Sequence, residues 1–302
     1  MSGSTLALIA GRGALPLAVA RAQAALPVIT SLQGNAPDGL DVELSFRIEQ
    51  LGTFFAQLQA KGVTDVCFCG GVTRPAIDPG AIDALTAPMV PTLAGAAAGG
   101  EDSALRAILG LFEEAGFAVR AAHDLAPSLL PARGVLTQTT PVGDLEAEVT
   151  LADSVQVRQG AQDLGQACVI RDREVIAQED ARGTDAMLGD LAGDYAPPSL
   201  DGADPFEFAV DVARDALGAA VDWFSGPVAQ ARAEAQGGIL FKAPKPGQDR
   251  RVDLPTIGPA TAMRAAEAGL DGIVIAAGGV MVLDQPQVVA ILDKMGMFLW
   301  VR

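Results

Sequence analysis

The stretch TLALIAGRGALP, residues 5–16, decides the fold of the amino-terminal half of the chain. Its first half is an apolar run of strand length, which predicts a buried parallel strand. Gly11 and Gly13 follow and lead into an Ala-rich helix predicted over 14–25. A glycine turn between a strand and a helix permits close backbone approach, and the start of the helix favours an anion. Because Pro16 replaces the third glycine of a dinucleotide fingerprint, an anion-binding turn and a plain tight turn both stay open.

The same alternation of strand and helix continues outward from this stretch. Strands are predicted at 5–10, 27–32, 46–48, 65–69 and 117–122. Helices are predicted between them at 52–61, 78–86, 91–98 and 101–115. Strands that alternate with helices at this spacing form a parallel sheet covered by helices on both faces. We therefore predict an α/β protein that begins with a Rossmann-like parallel sheet domain.

The second half is predicted to be α/β as well. Periodicity lapses over 124–150, where prolines and glycines are frequent. Beyond this lapse we predict helical stretches, a hairpin and further strands, at 144–162, 167–177, 260–268, 272–276, 280–283, 285–295 and 297–301. The predicted organisation is a Rossmann-like domain at 1–135, a linker at 136–150, and a C-terminal α/β domain at 151–302 that contains an insertion at 189–236.

Charge and composition limit the classes of function. Asp and Glu outnumber Lys and Arg by 37 to 21, a net charge of −16. This balance argues against nonspecific nucleic-acid binding and against electrostatic attachment to an anionic membrane. No apolar run reaches the ~18 residues that cross a bilayer, and residues 1–13 lack the features of a signal peptide, so we expect a cytoplasmic protein. Only 5% of the residues are aromatic, so we expect mostly aliphatic cores.

The number and spacing of the cysteines and the histidine do not predict a metal site. The three cysteines, Cys67, Cys69 and Cys168, fit a reducing compartment. Cys67 and Cys69 fall on one face of a predicted strand, and no further Cys or His cluster completes a metal site beside them. We therefore interpret them as buried small hydrophobic residues. His123, the only histidine, is interpreted as structural.

LFKAPKPGQDRRVDLPTIGP, residues 240–259, is the most unusual stretch of the second half. Two of the four lysines of the chain, Lys242 and Lys245, lie here and are followed by Arg250 and Arg251. The prolines exclude a regular helix and predict a stiff loop. Clustered cations on a stiff loop of an acidic protein indicate a site for a phosphate-bearing ligand. A solvated basic loop between two elements is the alternative.

Four other polar residues occupy positions where ligands bind in α/β proteins. Arg74 follows a predicted strand, at the carboxyl edge of the sheet. A solvated arginine at a turn is the alternative for it. Asp102 lies at one predicted helix start, and Thr184 and Asp185 lie at another. Each of these three residues also fits plain helix capping.

Six motifs together resemble one known family. The chain is similar to the UDP-2,3-diacylglucosamine pyrophosphatases of lipid A synthesis, of the magnesium-dependent type unrelated to metallophosphoesterases. The motifs are LIAGRGALP at 8–16, GGVTRP at 70–75, GGEDSALR at 99–106, EDARGTDAML at 179–188, KAPKPGQDRRVDLPTIG at 242–258 and AGLDGIVIAAG at 268–278. The resemblance covers nearly the whole chain, although most of 189–236 departs from it by being longer.

The resemblance implies a Mg²⁺-dependent hydrolase. Its reaction would split the pyrophosphate of UDP-2,3-diacylglucosamine into UMP and 2,3-diacylglucosamine 1-phosphate (lipid X). The resemblance also implies attack of water on the phosphorus at the sugar side, a nucleotide-binding first domain and a catalytic second domain. It implies self-association, for which we expect a homodimer, and we expect transient contact with the inner membrane surface because the substrate is lipid-linked.

Candidate roles follow from the resemblance together with the chemistry of the residues. Asp253 is the first choice to hold Mg²⁺ or to orient water, since Leu254 precedes Pro255 and is held extended. Asp102 and Asp185 are the second choices, as a partner ligand or as the base, and Asp102 is the one predicted to bind the metal beside Asp253. The catalytic candidates are Asp253, Lys242, Lys245, Arg251 and Gln248. The substrate-binding candidates are Gly11, Gly13, Arg74, Asp102, Thr184, Asp185 and Thr256.

Two other classes of function fit part of the sequence. An NAD(P)-dependent oxidoreductase would use the turn at Gly11 and Gly13, but it leaves 242–258 unexplained. A non-catalytic nucleotide-sugar or lipid-binding regulator would use the same cations without hydrolysis. For the hydrolase, the acyl chains need an apolar cover, and we expect 189–236 to provide it through Phe206, Phe208, Trp223 and Phe224.

Overall fold

The computed structural model of the chain describes residues 4–73, 75–97, 101–162, 164–192 and 237–302. Its internal contacts divide the chain into two compact units. The first unit comprises Met1–Ser128 and Gln248–Asp253, and the second comprises Leu129–Gly247 and Leu254–Arg302. Both units contain helices and strands, so the predicted α/β class is confirmed.

The elements of the first unit alternate between strand and helix. The strands are β1 (Leu6–Ala10), β2 (Val28–Leu32), β3 (Leu44–Phe46), β4 (Asp65–Cys69) and β5 (Ala118–Val119). The helices are α1 (Leu15–Arg21), α2 (Leu51–Ala60), α3 (Val90–Ala97), α4 (Glu101–Glu114) and α5 (Ala122–Leu125). Short 3₁₀ turns occupy Ile48–Gln50, Pro79–Ala81, Ala87–Met89 and Pro127–Leu129. Compared with the predicted 14–25 and 117–122, α1 and β5 are shorter.

The sheet of the first unit is entirely parallel, with the strand order β3-β2-β1-β4-β5. This is the order of a Rossmann fold, and the direction of winding reverses between β1 and β4. The predicted Rossmann-like sheet is therefore confirmed. Ligands of such sheets bind at the carboxyl ends of the strands beside the reversal. The glycine turn at Gly11 and Gly13 lies there.

Aliphatic residues form most of the buried core cluster described in the first unit, as expected, and several phenylalanines are concentrated within it. Phe46 of β3 stacks on Phe54 of α2 with ring centroids 4.0 Å apart. Phe55 and Phe117 pack around Phe112 of α4. The low aromatic content of the whole chain hid this cluster because the few aromatic residues are concentrated in one place.

The helix predicted over 78–86 is wrong. The chain forms a 3₁₀ turn at Pro79–Ala81 instead. The carboxylate of Asp78 accepts a hydrogen bond from the amide of Gly80 at 2.9 Å. Such a local bond from a side chain to the backbone competes with the helix, and Pro79 and Gly80 are themselves poor helix formers.

A close contact between the loops after β1 and β4 requires Gly11. The amide of Gly11 donates to the carbonyl of Cys69 at 2.8 Å. Arg12 and Gly71 exchange two backbone hydrogen bonds of 2.8 and 2.9 Å. A Cβ at position 11 would lie 2.3 Å from the carbonyl oxygen of Gly71. The carboxyl ends of these two strands are therefore tied together through their backbones.

We expect Gly11→Ala to destabilise the first unit by about 1–3 kcal/mol, the usual cost of an overpacked site, because the clashing atom belongs to the backbone. Gly95→Ala is the matched control, since a Cβ there meets no atom within 4 Å and Gly95 lies inside α3. Alanine at that position should be neutral or stabilise by about 0.5–1 kcal/mol. Urea unfolding measures both changes. Equal stability of Gly11→Ala and the wild type would contradict the close contact.

The second unit has more strands than the first. Its strands are β6 (Gly134–Val135), β7 (Ala167–Arg171), β8 (Glu174–Gln178), β9 (Ile239–Lys242), β10 (Thr256–Ile257), β11 (Gly272–Ile275), β12 (Met281–Val282) and β13 (Phe298–Val301). Its helices are α6 (Glu146–Ala161), α7 (Thr184–Ala192), α8 (Pro259–Glu267) and α9 (Gln285–Lys294). The first four residues of the insertion predicted at 189–236 belong to α7. The rest of it, including the predicted acyl-chain cover at Phe206, Phe208, Trp223 and Phe224, lies outside the described residues.

The main sheet of the second unit has the order β6-β13-β11-β9-β7-β8. The three central strands, β13, β11 and β9, are parallel to one another. The outer strands β6, β7 and β8 each pair antiparallel, and β7 with β8 confirms the predicted hairpin. The small strands β10 and β12 pair separately in parallel. No helix within the described ranges is both long enough and apolar enough to cross a membrane.

Different helices pack on the two faces of this sheet. Leu240 and Ile273 point to the core shared with α7, α8 and α9. Phe241 and Val274 point to the opposite core, which α6 covers. Because side chains alternate along a strand, Lys242 shares the face of Leu240. The fold therefore directs the last residue of β9 toward α7.

Candidate functional site

Lys242 is the last residue of β9, a central strand of the second unit, and only 8% of it is exposed. Its neighbours across the sheet are Ala167 of β7 and Ile275 of β11, both apolar. The strand ends just before Pro244, since proline has no amide hydrogen to continue the ladder. The sequence predicted that Lys242 belongs to a loop, but the structure places it inside the protein on a rigid element.

A chain of two hydrogen bonds links Lys242 to a hydroxyl and then to a carboxylate. The Nζ of Lys242 donates to Oγ1 of Thr184, the first residue of α7, at 2.8 Å. The Oγ1 of Thr184 in turn donates to Oε1 of Glu179 at 3.0 Å. Thr184 is buried. Lys242 and the motif at 179–188, distant in sequence, therefore meet within the second unit.

Burial lowers the pKa of Lys242 below its usual 10.5, because an ammonium loses its hydration inside a protein. The negative charges of Glu179 and Asp185 act in the opposite direction without restoring the usual value. An ammonium has three N–H donors, and among the described residues the bond to Thr184 uses only one of them. Buried donors without partners are costly, so this arrangement is suited to an anionic ligand.

Gln248–Asp253 forms a compact turn that groups with the first unit. The amides of Val252 and Asp253 both donate to the carbonyl of Asp249, each at 3.2 Å. The side-chain amide of Gln248 donates to the carboxylate of Asp253. Gln248 is buried and Asp253 is partly exposed. The structure thus brings two predicted catalytic residues together and gives Asp253 an oriented carboxylate.

Two carboxylates of the first unit hold Arg251. Its Nε and Nη2 donate to Asp249 at 3.0 and 2.7 Å, and its Nη1 donates to Glu113 of α4 at 2.5 Å. The hydrogen bond with Arg251 lowers the pKa of Asp249, and Asp249 and Glu113 raise the pKa of Arg251. These contacts fasten the turn to α4. A direct grip of Arg251 on phosphate stays a prediction.

Gly11 and Gly13 have different surroundings. Gly11 is buried against the loop that follows β4. Gly13 is exposed, has a φ of +90°, and no atom lies within 4 Å of the position that a Cβ would take. Its amide donates to the carboxylate of Asp38 at 3.0 Å. Gly13 therefore leaves room for a bound molecule, whereas the closest neighbours of Gly11 are protein backbone.

The remaining candidates are spread over both units. In the second unit, Lys245 is half-buried three residues after β9, Asp185 is exposed in the first turn of α7, and Thr256 begins β10. In the first unit, Asp102 lies in the first turn of α4. Arg74 lies outside the described residues. Their predicted roles in substrate binding stay predictions.

The described cysteines of both units are buried. Cys168 is buried, and burial raises the pKa of its thiol to about 12. Cys67 and Cys69 are buried in the first unit, in line with their interpretation as small hydrophobic residues. Across the described ranges, no three His, Cys, Asp or Glu side chains are placed together as a metal-binding group.

Glu179 is the residue of this site that sequence reasoning missed. It follows the edge strand β8 and lies five residues before Thr184, so its contact with that hydroxyl depends on how the chain turns between them. The only signal in the sequence was its place at the start of the motif EDARGTDAML. A single glutamate after a strand is otherwise typical of a solvated position.

Comparison with known proteins places both halves of the chain in one group. Residues 5–129 match the family model described as the LpxI N-terminal domain. Residues 132–203 and 213–300 match the LpxI C-terminal domain. The chain is also similar to the UDP-2,3-diacylglucosamine pyrophosphatase LpxI of Caulobacter vibrioides (strain ATCC 19089 / CIP 103742 / CB 15). The two are 36% identical over 298 residues, which span 97% of this chain and 95% of the relative.

Proposed function

This chain belongs to the LpxI family, and on that premise we propose that it hydrolyses UDP-2,3-diacylglucosamine. The reaction cleaves the pyrophosphate bond and releases 2,3-diacylglucosamine 1-phosphate (lipid X) and UMP, as a step of lipid A biosynthesis. The name of the 36% identical relative supports the substrate. The chemistry of the site in the second unit supports the reaction class.

The observation that carries this proposal is the buried Nζ of Lys242, which ends a central strand and donates to the hydroxyl of Thr184. The pyrophosphate of the substrate is a dianion, and hydrolysis moves further charge onto the leaving phosphate. A cation fixed in a site with little water stabilises such charge far better than a solvated one does. Lys242 offers two N–H donors that no described residue engages, which suits it to the non-bridging oxygens of the substrate.

Asp253 is proposed to orient the attacking water or to hold a magnesium ion. Its carboxylate is fixed by Gln248 and is partly exposed, so it is both oriented and accessible. Gln248 is therefore proposed to hold the carboxylate of Asp253 in place. Lys245 and Arg251 are proposed to add positive charge near the phosphates, and Thr256, Gly13 and Arg74 to contact the rest of the substrate.

Mg²⁺ is the proposed cofactor, with Asp253 and Asp102 as its protein ligands. Mg²⁺ prefers oxygen ligands and usually takes only one or two protein carboxylates beside phosphate and water. The oriented carboxylate of Asp253 fits this preference. When bound, the ion would supply neutralisation of the phosphate charge, while the residues of the chain orient the reacting groups.

The proposal includes a homodimer, which rests on the family resemblance. It also includes transient contact with the inner membrane surface, which rests on the lipid-linked substrate. The net charge of −16 disfavours a permanent electrostatic attachment to that surface. Light scattering of the purified protein and flotation with vesicles test these two parts.

Phosphorus-31 NMR of UDP-2,3-diacylglucosamine with the purified protein and Mg²⁺ tests the activity. We expect the two pyrophosphate signals to be replaced by those of two monophosphates, UMP and lipid X. Unchanged signals together with saturable binding would favour the non-catalytic regulator instead. A thermal shift with NAD or NADP and none with UDP would favour the oxidoreductase.

In water enriched in oxygen-18, we expect the label to enter lipid X and not UMP, because attack is proposed at the phosphorus on the sugar side. The isotope shift of each product signal in the phosphorus-31 spectrum reports the position of the label. The control for exchange uses UMP and lipid X made in ordinary water. These products are then incubated with the enzyme in water enriched in oxygen-18. Label in UMP would contradict the proposed direction of attack.

A further inference from the structure

Four hydrogen bonds hold Glu179 in place. Its Oε1 accepts from Thr184 and its Oε2 accepts from the backbone amide of Gln166, at 3.0 and 2.7 Å. Its own amide donates to the carbonyl of Ala167 at 3.0 Å, and its carbonyl accepts from the side-chain amide of Gln159 at 3.0 Å. Both carboxylate oxygens and both backbone groups are therefore engaged, and the carboxylate has a single position.

Gly165 lies so close to Glu179 that there is no room for a side chain at position 165. A Cβ at Gly165 would lie 2.3 Å from the Cβ of Glu179 and 2.8 Å from its carbonyl oxygen. Only glycine therefore fits at position 165 while Glu179 keeps its place. This close approach fixes the position of residue 179 against the loop that precedes β7.

The direction of the hydrogen bonds has a chemical consequence. A threonine hydroxyl has one proton to donate. Because Thr184 donates that proton to Glu179, it can only accept from Lys242. The amine must then present an N–H to the hydroxyl, which points its remaining donors away from Thr184. Without the carboxylate, the hydroxyl could turn and donate its proton to a neutral amine.

We propose that Glu179 is a positioning residue for Lys242, acting through the hydroxyl of Thr184 to orient the ammonium toward the phosphate of the substrate. This inference rests on the proposed function and deepens it. Glu179 touches neither the substrate nor a reacting atom in this scheme. Its role is to fix a cation that would otherwise be free to rotate or to lose its proton.

The charges around Lys242 support this role. Its strand neighbours, Ala167 and Ile275, are apolar, so they offset none of the burial that lowers the pKa of Lys242. The opposing charges are those of Glu179 and Asp185. Asp185 is exposed, so water screens it, whereas Glu179 is linked to the ammonium through a buried hydroxyl. Removing the charge of Glu179 should therefore lower the pKa of Lys242 further.

The first test measures the lysine directly and needs no substrate. With only four lysines in the chain, a sample labelled with carbon-13 at lysine Cε gives a spectrum that Lys242→Met assigns. We expect Lys242 to titrate below the other three lysines in the wild type, and lower still in Glu179→Gln. Glu174→Gln, an exposed glutamate at the start of β8, is the control and should leave the titration unchanged.

A second pair of variants guards against misfolding of Glu179→Gln. Thr184→Val removes the hydroxyl link and should lower the titration midpoint of Lys242, whereas Thr184→Ser keeps a hydroxyl and should preserve it. Thermal unfolding confirms that each variant is folded. Midpoints in Glu179→Gln and Thr184→Val that match the wild type would overturn the inference.

The kinetic test uses the phosphorus-31 assay. We expect Glu179→Gln to lower kcat/KM about 10- to 100-fold, by analogy with the loss seen when residues that orient metal ligands are replaced. The alkaline limb of its pH profile should move to lower pH, a change that simple destabilisation would not cause. Glu179→Gln combined with Thr184→Val should be no worse than Thr184→Val alone, because both act on one link.

The hydrolase activity and the positioning role of Glu179 can be contradicted separately. A wild type without hydrolase activity would contradict the proposed function, while the lysine titration would still report on Glu179. An active wild type whose pH profile is identical in Glu179→Gln would contradict the positioning role alone.

Discussion

Replacing Asp253 with alanine should lower kcat by about 10²–10³, the usual loss when one preorganised electrostatic contact is removed. The carboxylate is fixed by Gln248 within a turn whose backbone bonds to Asp249 do not involve the side chain of Asp253. The variant should therefore fold normally and bind the substrate. Steady-state kinetics by phosphorus-31 NMR and thermal unfolding measure the two effects separately.

Asp253→Asn tests whether the negative charge of Asp253, and not the shape of its side chain, is needed for turnover. Asparagine retains an oxygen for the bond with Gln248 but carries no negative charge, so we expect a loss similar to that of alanine. Asp41→Asn is the matched control, since Asp41 is an exposed aspartate of the same unit. Near-normal turnover of both Asp253 variants would remove this residue from the mechanism.

Lys242→Met should also lower kcat/KM by about 10²–10³, yet it should not lower the melting temperature. Burial holds the pKa of Lys242 below its usual value, so the folded protein stabilises the ammonium less well than water does. Methionine fills a similar volume without a charge. The bond from Thr184 to Glu179 stays available in the variant. Activity would fall while stability is retained or rises.

The effect of the buried charge of Lys242 on the free energy of unfolding should depend on pH. In the window between the lowered folded pKa of Lys242 and the unfolded value of 10.5, the unfolded wild type binds more protons than the folded one. Stability of the wild type should therefore rise with pH through this window, relative to Lys242→Met. Thermal unfolding of both proteins at neutral and at alkaline pH measures the difference. A variant markedly less stable than the wild type at neutral pH would contradict a net cost of the buried ammonium.

Much of the fold was predictable because strong local signals agreed with the final packing. The apolar runs at 5–10 and 65–69 are strands in a parallel sheet, and the hairpin at 167–177 is present. The failure at 78–86 has a local cause, since the carboxylate of Asp78 accepts a hydrogen bond from the amide of Gly80 and so competes with the helix. The mostly aliphatic core was expected from composition, but the clustering of phenylalanines in the first unit was not, because an average over the chain contains no information about clustering.

The site was predictable in its residue types but not in its geometry. Lys242 and Thr184 were both candidates, and the structure joins them by a hydrogen bond of 2.8 Å. That Lys242 ends a buried strand was not predicted, because the prolines that follow it dominate the local pattern. Glu179 was missed since its partner is fixed by the tertiary fold. Arg251 was chosen for its charge, and its carboxylate partners Asp249 and Glu113 are visible only in three dimensions.

The membership of Gln248–Asp253 in the first unit has a consequence for how this protein can be divided. A gene cut after Ser128 would encode a first unit without the turn that contains Asp253, and Glu113 would lose the arginine that it binds. The complementary fragment would carry that turn away from the residues with which it groups. The first unit is therefore not encoded by one contiguous stretch of the gene, whereas residues 129–302 contain the whole second unit together with this turn.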